Sequence, residues 1–193
     1  MDEVIRVKDH YYILATSSRA DERTRVLKDG ETFAVFDHYG DIVPFGLGEQ
    51  GLYHEGTRYL SRLELRVNGA RPLLLSSNVR EQNDLLVVDL TNPDMPIHGD
   101  AIFTRDVLHI FRSKFLFKGA CYERLRVTNH GLDPVALTLG LRYDADFADI
   151  FEVRGTVRAR RGRVLEPHSE GAGLVLRYEG LDGVHRRTRI ECF

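Results

Sequence analysis

The chain lacks tryptophan altogether and has only two cysteines, Cys121 and Cys192, among its 193 residues. Two thiols without a secretory signal do not indicate a structural disulfide, and no Cys/His spacing resembles a zinc site. The missing tryptophan disfavours a free-standing carbohydrate-binding module, because surface sugar sites often stack the sugar on an aromatic ring and only Tyr, Phe or His remain to supply one. We therefore expect no metal, and a core that needs no covalent staples.

Long apolar runs are missing as well. The two longest, residues 11–15 and 85–88, fall far short of the roughly 18 residues that span a bilayer. Residues 1–9 carry charges where a signal peptide needs an apolar core. The sequence therefore predicts a protein with no membrane association, located in the cytoplasm.

Neither sign of charge is in excess, since 27 basic and 29 acidic side chains leave a net charge of −2. That balance gives no reason to expect a polyanionic partner. The arginine-rich residues 154–163 have no interleaved aromatic side chains, so we expect no nucleic-acid binding. Phosphate loops, dinucleotide fingerprints and nucleophile elbows are also missing, and no cofactor is expected.

What the sequence does contain is period-two alternation of apolar and polar residues. Residues 62–67 alternate, Asn68-Gly69 follows at once, and residues 70–76 run back, which predicts a hairpin because Asn-Gly suits a turn with two positive φ angles. Residues 24–27 and 32–37 flank a second turn at residues 28–31.

Three further segments extend the strand pattern. Residues 122–128 and 135–143 alternate, the second most clearly. Residues 106–117 are apolar on both faces, which indicates a strand buried between layered sheets. We predict an all-β fold, a large antiparallel β-sandwich with little helix, forming a single domain over residues 1–193. The alternation continues up to Phe193, so we expect the domain to be truncated at its C-terminal end.

Two charged segments depart from the strand pattern. Residues 46–59 are glycine-rich, and residues 143–155 follow the clearest strand; their charged members include Glu49, His54, Glu55, Arg58, Asp144, Asp146, Asp149, Glu152 and Arg154. Carboxylates and guanidinium groups can each form two hydrogen bonds with sugar hydroxyls, so one interpretation is a polar binding site at one end of the sandwich. The other interpretation is that these acids end a strand and pair with nearby arginines. The residues leave both open.

Other chemistry has little support in these segments. Asp146 and Asp149 form a carboxylate pair of the kind that glycoside hydrolysis uses, but such pairs arise by chance in most domains. Asp144, Asp146 and Asp149 are not followed by the rest of an EF-hand loop, so calcium binding is not expected.

Four motifs occur in an order that is similar to a known family. They are Gly51-Leu-Tyr-His-Glu-Gly-Thr-Arg-Tyr-Leu-Ser-Arg-Leu-Glu-Leu65 with Val67-Asn-Gly69, Leu90-Thr-Asn-Pro93, Tyr122-Glu-Arg-Leu125 with Thr128-Asn129, and Asp146-Phe-Ala-Asp-Ile-Phe-Glu-Val-Arg-Gly155. Together they resemble the N-terminal domain of bacterial and archaeal glycogen debranching (amylo-α-1,6-glucosidase) type proteins. The resemblance extends over roughly residues 10–193.

The resemblance implies a supersandwich-type domain followed by a helical toroid that carries the catalytic acid and base. No catalytic residue is then expected in this chain, and its partners would be the C-terminal catalytic helical domain of the same polypeptide and an α-glucan or oligosaccharide. Many relatives carry Asp-Thr-Arg where this chain reads Gly56-Thr57-Arg58, so Glu55 or nothing replaces that aspartate here. The rival hypotheses are a stand-alone glucan-binding module and a purely structural or homo-oligomerising domain.

The candidate substrate-binding residues are Glu55, Arg58, Asp144, Asp146 and Arg154. If the strands that carry the two charged segments run antiparallel, the loop before one and the segment after the other lie at the same rim. We expect this convergence. We also expect an exposed apolar patch where the domain would pack on its partner.

Overall fold

The computed structural model describes residues 4–7, 10–13, 24–44, 48–96, 102–171 and 173–193. Of the residues described, 57% are in strands and 2% in a helix, and every strand pairing among them is antiparallel. The predicted all-β class is therefore confirmed.

The strands are short to medium in length, and one helical turn interrupts them. In chain order they are β1 (Val4–Val7), β2 (His10–Ile13), β3 (Arg25–Asp29), β4 (Thr32–Phe36), β5 (Gly51–His54), β6 (Thr57–Leu60), β7 (Arg62–Val67), β8 (Leu73–Val79), β9 (Leu86–Thr91), β10 (Met95–Pro96), β11 (Ile102–Phe103), β12 (Leu108–Phe117), β13 (Ala120–Asn129), β14 (Leu139–Asp144), α1 (Ile150–Val153), β15 (Arg163–Glu170), β16 (Gly173–Glu179) and β17 (His185–Glu191).

The strands form two four-stranded sheets and several smaller ones. The larger sheets have the orders β13-β12-β9-β8 and β3-β4-β5-β6, beside a three-stranded sheet β15-β16-β17 and two-stranded sheets β14-β7, β1-β2 and β10-β11. The predicted turn at residues 28–31 is confirmed, because β3 and β4 pair directly across it from Asp29↔Thr32 onward.

The core lies between the sheets. Leu27 and Phe36 from the β3–β4 side and Leu90 and Ile110 from the β9–β12 side are completely buried and belong to one hydrophobic cluster. Burying a side chain of this size contributes about 1.5–3 kcal/mol, so packing between the sheets is the main stabilising interaction of the fold.

The Asn68-Gly69 turn forms as predicted, but the hairpin does not. Asn68 and Gly69 have φ of 48° and 80°, and Val67 and Ala70 exchange backbone hydrogen bonds of 2.8 and 3.0 Å. The strands then separate, because β7 pairs with β14 and β8 pairs with β9. Pro72 has no N–H to continue the ladder, which is one physical reason for the separation.

Two other strand predictions need correction. The strand predicted at residues 135–143 begins only at Leu139, because its partner β7 ends at Val67 and the turn follows. The prediction that residues 106–117 are buried on both faces is wrong. One face of β12 is buried and includes the charged Arg112, whereas Phe115 and Phe117 on the other face are 43% and 51% exposed.

Candidate functional site

The two charged segments meet at one end of the sheet formed by β7 and β14. These strands are antiparallel, so the loop before β7 and the segment after β14 lie on the same side, as expected. The amide of Arg58 donates to the carbonyl of Ala148, and the amide of Ile150 donates to the carbonyl of Gly56, both at 2.8 Å. We call residues 54–58 and 144–155 together the rim.

Arg58 and Asp146 connect the two halves of the rim. Nε and Nη2 of Arg58 donate to Oδ1 and Oδ2 of Asp146 at 3.1 and 2.5 Å, while Nη1 donates to the carbonyls of Gly48 at 2.5 Å and Gln50 at 3.2 Å. Burial by itself lowers the pKa of Arg58, but the hydrogen bonds and charge of Asp146 outweigh it and the pKa is raised. The guanidinium is therefore held charged.

Gly51 makes room for the stem of Arg58. A Cβ at this position would stand 2.5 Å from Cδ and 2.9 Å from Cγ of Arg58.

Arg58 donates four hydrogen bonds inside the protein out of five available N–H groups. The geometry therefore commits Arg58 and Asp146 to holding the rim together and leaves little of either for a ligand.

Asp149 organises the second half of the rim. Its side chain accepts from the amides of Phe151 at 2.8 Å and Glu152 at 3.0 Å, and Glu152 returns a bond to the amide of Asp149, which completes a capping box at the start of α1. Slight burial works to raise the pKa of Asp149, but these amides and Arg158 outweigh it and the pKa is lowered.

Two arginines that follow the rim in the chain pair with its acidic side chains, as the second interpretation of the sequence predicted. Arg158 donates to Asp149 at 2.6 Å, and Arg161 pairs with Glu152 at 2.8 Å. Arg154 does not share these acids: it is exposed, and its side chain makes no hydrogen bond or ion pair with any residue that the structure describes.

Three of the candidate residues keep polar groups directed to solvent. Glu55 lies in the tight turn between β5 and β6, with φ of 47°, and is exposed. Asp144 ends β14, is exposed, and accepts one bond from the amide of Ala145 at 2.9 Å. Together with Arg154 they give the rim two acceptors and one donor that are available to a ligand.

The remaining charged residues of the first loop serve the local structure. The carbonyl of Glu49 accepts from the hydroxyl of Tyr53 at 2.7 Å, and Nδ1 of His54 lies 2.8 Å from Oγ1 of Thr32. Among the described residues, no group of three His, Cys, Asp or Glu side chains could hold a metal ion. No helix among the same residues is both long and apolar enough to cross a membrane.

A shallow cavity of about 360 Å³ shares no residue with the rim. It opens between β3, β8 and the turn after β8, and is lined by Thr24, Arg25, Val26, Ser77, Asn78, Val79 and Asn83.

A buried network of ionised side chains was not predicted from the sequence. Arg112 and Lys114 on β12 have no exposed side-chain area; Arg112 donates to Asp41 at 2.6 Å and to Glu123 at 2.7 Å, and Lys114 donates to Glu123 at 2.5 Å. Arg112 also donates to the carbonyl of Tyr39 at 2.7 Å. The network fastens the loop after β4 to the sheet of β12 and β13.

Burial and charge shift the pKa values in this network in opposite directions. Burial alone raises the pKa of Glu123, but Lys114 and Arg112 outweigh it and lower that pKa to about 2. Burial lowers the pKa of Lys114 and raises the pKa of Cys121. One signal was present in the sequence: Arg112 and Lys114 have the same period-two phase as the buried Ile110, so they had to lie on the buried face.

The opposite face of the same sheet exposes aromatic side chains. Phe115, Phe117 and Tyr122, which we call the outer aromatic surface, are 43%, 51% and 40% exposed, and the rings of Phe115 and Tyr122 stack at 5.0 Å. A fully buried aromatic side chain covers 150–250 Å². At the exposed fractions given above, the three side chains together therefore expose roughly 250 Å². Lys118 lies 5.2 Å from the ring of Phe117, and Arg126 lies 4.9 Å from the ring of Phe111, so the surroundings are basic.

Fold and site together define an all-β antiparallel domain. Its rim is formed by two segments that lie far apart in the sequence. A family model described as the N-terminal domain of (some) glycogen debranching enzymes matches residues 27–193. The chain belongs to this family, which confirms the resemblance stated above. No curated protein and no solved structure matches the chain.

Proposed function

We propose that the chain is the non-catalytic N-terminal sandwich domain of a glycoside hydrolase of the amylo-α-1,6-glucosidase type that acts on α-glucans in the cytoplasm. It packs on the C-terminal catalytic helical domain of the same polypeptide and contributes rim residues to the substrate cleft. The observation that carries the proposal is the rim itself, in a chain of the glycogen debranching family.

The rim has the construction expected of a binding edge. Arg58 and Asp146 hold its two segments in a fixed relation, and Glu55, Asp144 and Arg154 stay exposed beside them. Carboxylates accept hydrogen bonds and guanidinium groups donate them, which suits neutral sugar hydroxyls that do both. Residues on loops that a rigid scaffold positions commonly carry binding.

The carboxylates of the rim support a role without catalysis. A general acid needs a raised pKa, whereas the pKa of Asp149 is lowered and its side chain caps α1. Both oxygens of Asp146 accept hydrogen bonds from Arg58. The carboxylate pair at these two positions is therefore engaged in structural contacts, and we expect the isolated chain to hydrolyse neither maltooligosaccharides nor pullulan.

The outer aromatic surface is our candidate for the contact with the catalytic domain. Aromatic residues and arginine are enriched at protein interfaces, and exposed patches of a few hundred Å² mark interaction sites. The basic surroundings, with Lys118, Arg124 and Arg126, favour an acidic partner surface. Hydrogen exchange tests this contact. The amides of β12 and β13 should exchange more slowly in the polypeptide that carries the catalytic domain than in the isolated chain. Equal rates would contradict it, and concentration-dependent protection in the isolated chain would identify a second copy as the occupant instead.

Substitutions at the rim test the proposed role in the cleft. In the polypeptide that carries both domains, Arg154→Ala and Glu55→Ala should each lower kcat/KM for maltoheptaose about tenfold, the loss expected for one hydrogen bond to a charged group. The melting temperature should not change, because neither side chain has a partner in the part of the chain that the structure describes. Arg105→Ala and Glu81→Ala are the matched controls, being exposed residues of the same types outside the rim. Unchanged kinetics in both rim variants would overturn the proposal for the rim.

A further inference from the structure

One aromatic side chain of the rim has no place in the core. Phe151 is 60% exposed on α1, in the middle of the motif that identifies the second rim segment. Exposing a phenylalanine forgoes about 1.5–3 kcal/mol of possible burial, which a contact between the ring and a ligand would recover.

The backbone beneath Phe151 is firmly held. Its amide donates the capping hydrogen bond to Asp149 at 2.8 Å, and its carbonyl accepts from the amide of Thr156 at 2.9 Å. The preceding residue, Ile150, is tied to Gly56 across the rim at 2.8 Å. The ring is therefore presented to solvent from a fixed base, and does not belong to a loose loop.

Two exposed polar residues are attached to backbone close to that of Phe151. Glu55 directly precedes Gly56, which is hydrogen-bonded to the residue before Phe151. Arg154 follows Phe151 by three positions, and residues three apart are neighbours on a helical surface. The described part of the chain shows no side-chain partner for either Glu55 or Arg154.

We infer that Phe151 is a stacking residue for one glucose ring of an α-glucan, with Glu55 and Arg154 as hydrogen-bonding neighbours. A pyranose has an apolar face and a belt of hydroxyls that both donate and accept, so it matches an aromatic ring between an acceptor-only and a donor-only side chain. An apolar protein surface would satisfy the ring but leave both charges without partners, which is unfavourable. The inference rests on the proposed function of the rim and adds a residue and a subsite to it.

Binding and kinetics of substituted proteins test the inference. In the polypeptide that carries both domains, Phe151→Ala should raise KM for maltoheptaose roughly 2- to 10-fold, which corresponds to the loss of one aromatic contact, with kcat little changed. Phe151→Tyr should restore the original KM, since it keeps the ring. Val157→Ala is the control, because Val157 is a nearby apolar residue that is 93% exposed. In the isolated chain, maltoheptaose should shift the amide resonance of Phe151, and cellohexaose should shift it less.

Each outcome separates the subsite from the proposed function. If Phe151→Ala leaves KM unchanged while Glu55→Ala and Arg154→Ala raise it, the stacking role is wrong and the rim's role in the cleft stands. If all three variants behave like the wild-type protein, both ideas fail. A Phe151→Ala variant with unchanged KM but weakened association of the two domains would show that the ring contacts protein and would overturn the sugar subsite.

Discussion

The guanidinium of Arg58 and the carboxylate of Asp146 lie 88 positions apart in the chain and form a two-pronged ion pair, with Nε–Oδ1 and Nη2–Oδ2 distances of 3.1 and 2.5 Å. The side chains are 14% and 32% exposed. The same guanidinium reaches the carbonyls of Gly48 and Gln50, so one side chain joins three stretches of backbone.

Replacing Arg58 should therefore reduce stability. We expect Arg58→Ala to lower the free energy of unfolding by about 2 kcal/mol, the scale of losing hydrogen bonds to a charged group in a partly exposed pair. Arg58→Lys should not recover the loss, because an ammonium cannot reproduce the planar two-pronged contact. Urea unfolding of the isolated chain measures both, with Arg105→Ala as the control. A stability equal to that of the wild-type chain would show that the pair holds nothing together.

Gly51 offers a second test of the same contact. Gly51→Ala should destabilise the chain by about 1–3 kcal/mol, because the added Cβ overlaps the stem of Arg58 and overpacking at a close contact carries that cost. Gly140→Ala is the matched control: it is also a strand glycine, and the nearest atom to its added Cβ is 3.8 Å away. Thermal unfolding of the two variants tests this prediction. Equal losses of stability in both would indicate a general effect of replacing strand glycines.

The buried network predicts acid sensitivity. The pKa of Glu123 is lowered from 4.5 to about 2, so its ionised form is stabilised in the folded chain by Lys114 and Arg112. That contribution is fully present above pH 4.5, which is the ordinary value, and is lost as the pH falls toward 2. At 1.36 kcal/mol for each pKa unit, it amounts to roughly 3 kcal/mol.

Unfolding free energies measured between pH 2 and 6 test this contribution. The wild-type chain should lose stability steadily below about pH 4.5, and Glu123→Gln should lose less over the same range because the group no longer titrates. The other groups facing Glu123 are Arg112, Lys114, Cys121 and Tyr143. Burial raises the pKa of Cys121, and it raises the pKa of Tyr143 to about 12. Parallel curves for the two proteins would rule out Glu123 as the source of acid sensitivity.

Local patterns account for most of the predicted fold. The alternation in residues 122–128 and the turn at residues 28–31 were recognisable because side-chain phase and turn chemistry depend only on neighbouring residues. Predictions of pairing fared worse. The Asn68-Gly69 turn formed, yet its two strands joined different sheets, since the partner of β7 is β14, whose paired residues lie 72 to 82 positions further along the chain.

At the site, too, local features were predictable from the sequence and contacts between distant segments were not. The resemblance led us to expect that the two rim segments converge, and the antiparallel pairing of β7 with β14 confirms it. The sequence also named Arg58 and Asp146 as candidates. It could not show that they contact each other, because a contact across 88 positions depends on how the sheets pack. The network of Arg112, Lys114 and Glu123 went unrecognised for a related reason: charged residues usually mark an exposed face, and only their phase beside Ile110 indicated otherwise.

By itself, the sequence determined an all-β chain with two charged segments, because period-two alternation, turn residues and composition are local properties that need no partner. The tertiary structure alone decided which strands pair, which arginines are committed to internal ion pairs, and which side chains remain exposed. Those outcomes depend on distances between segments that the chain brings together only on folding. Thus Arg58 is committed to an ion pair that joins the two segments of the rim, and Arg154 is exposed with no partner among the described residues. Phe151 faces solvent from a hydrogen-bonded backbone.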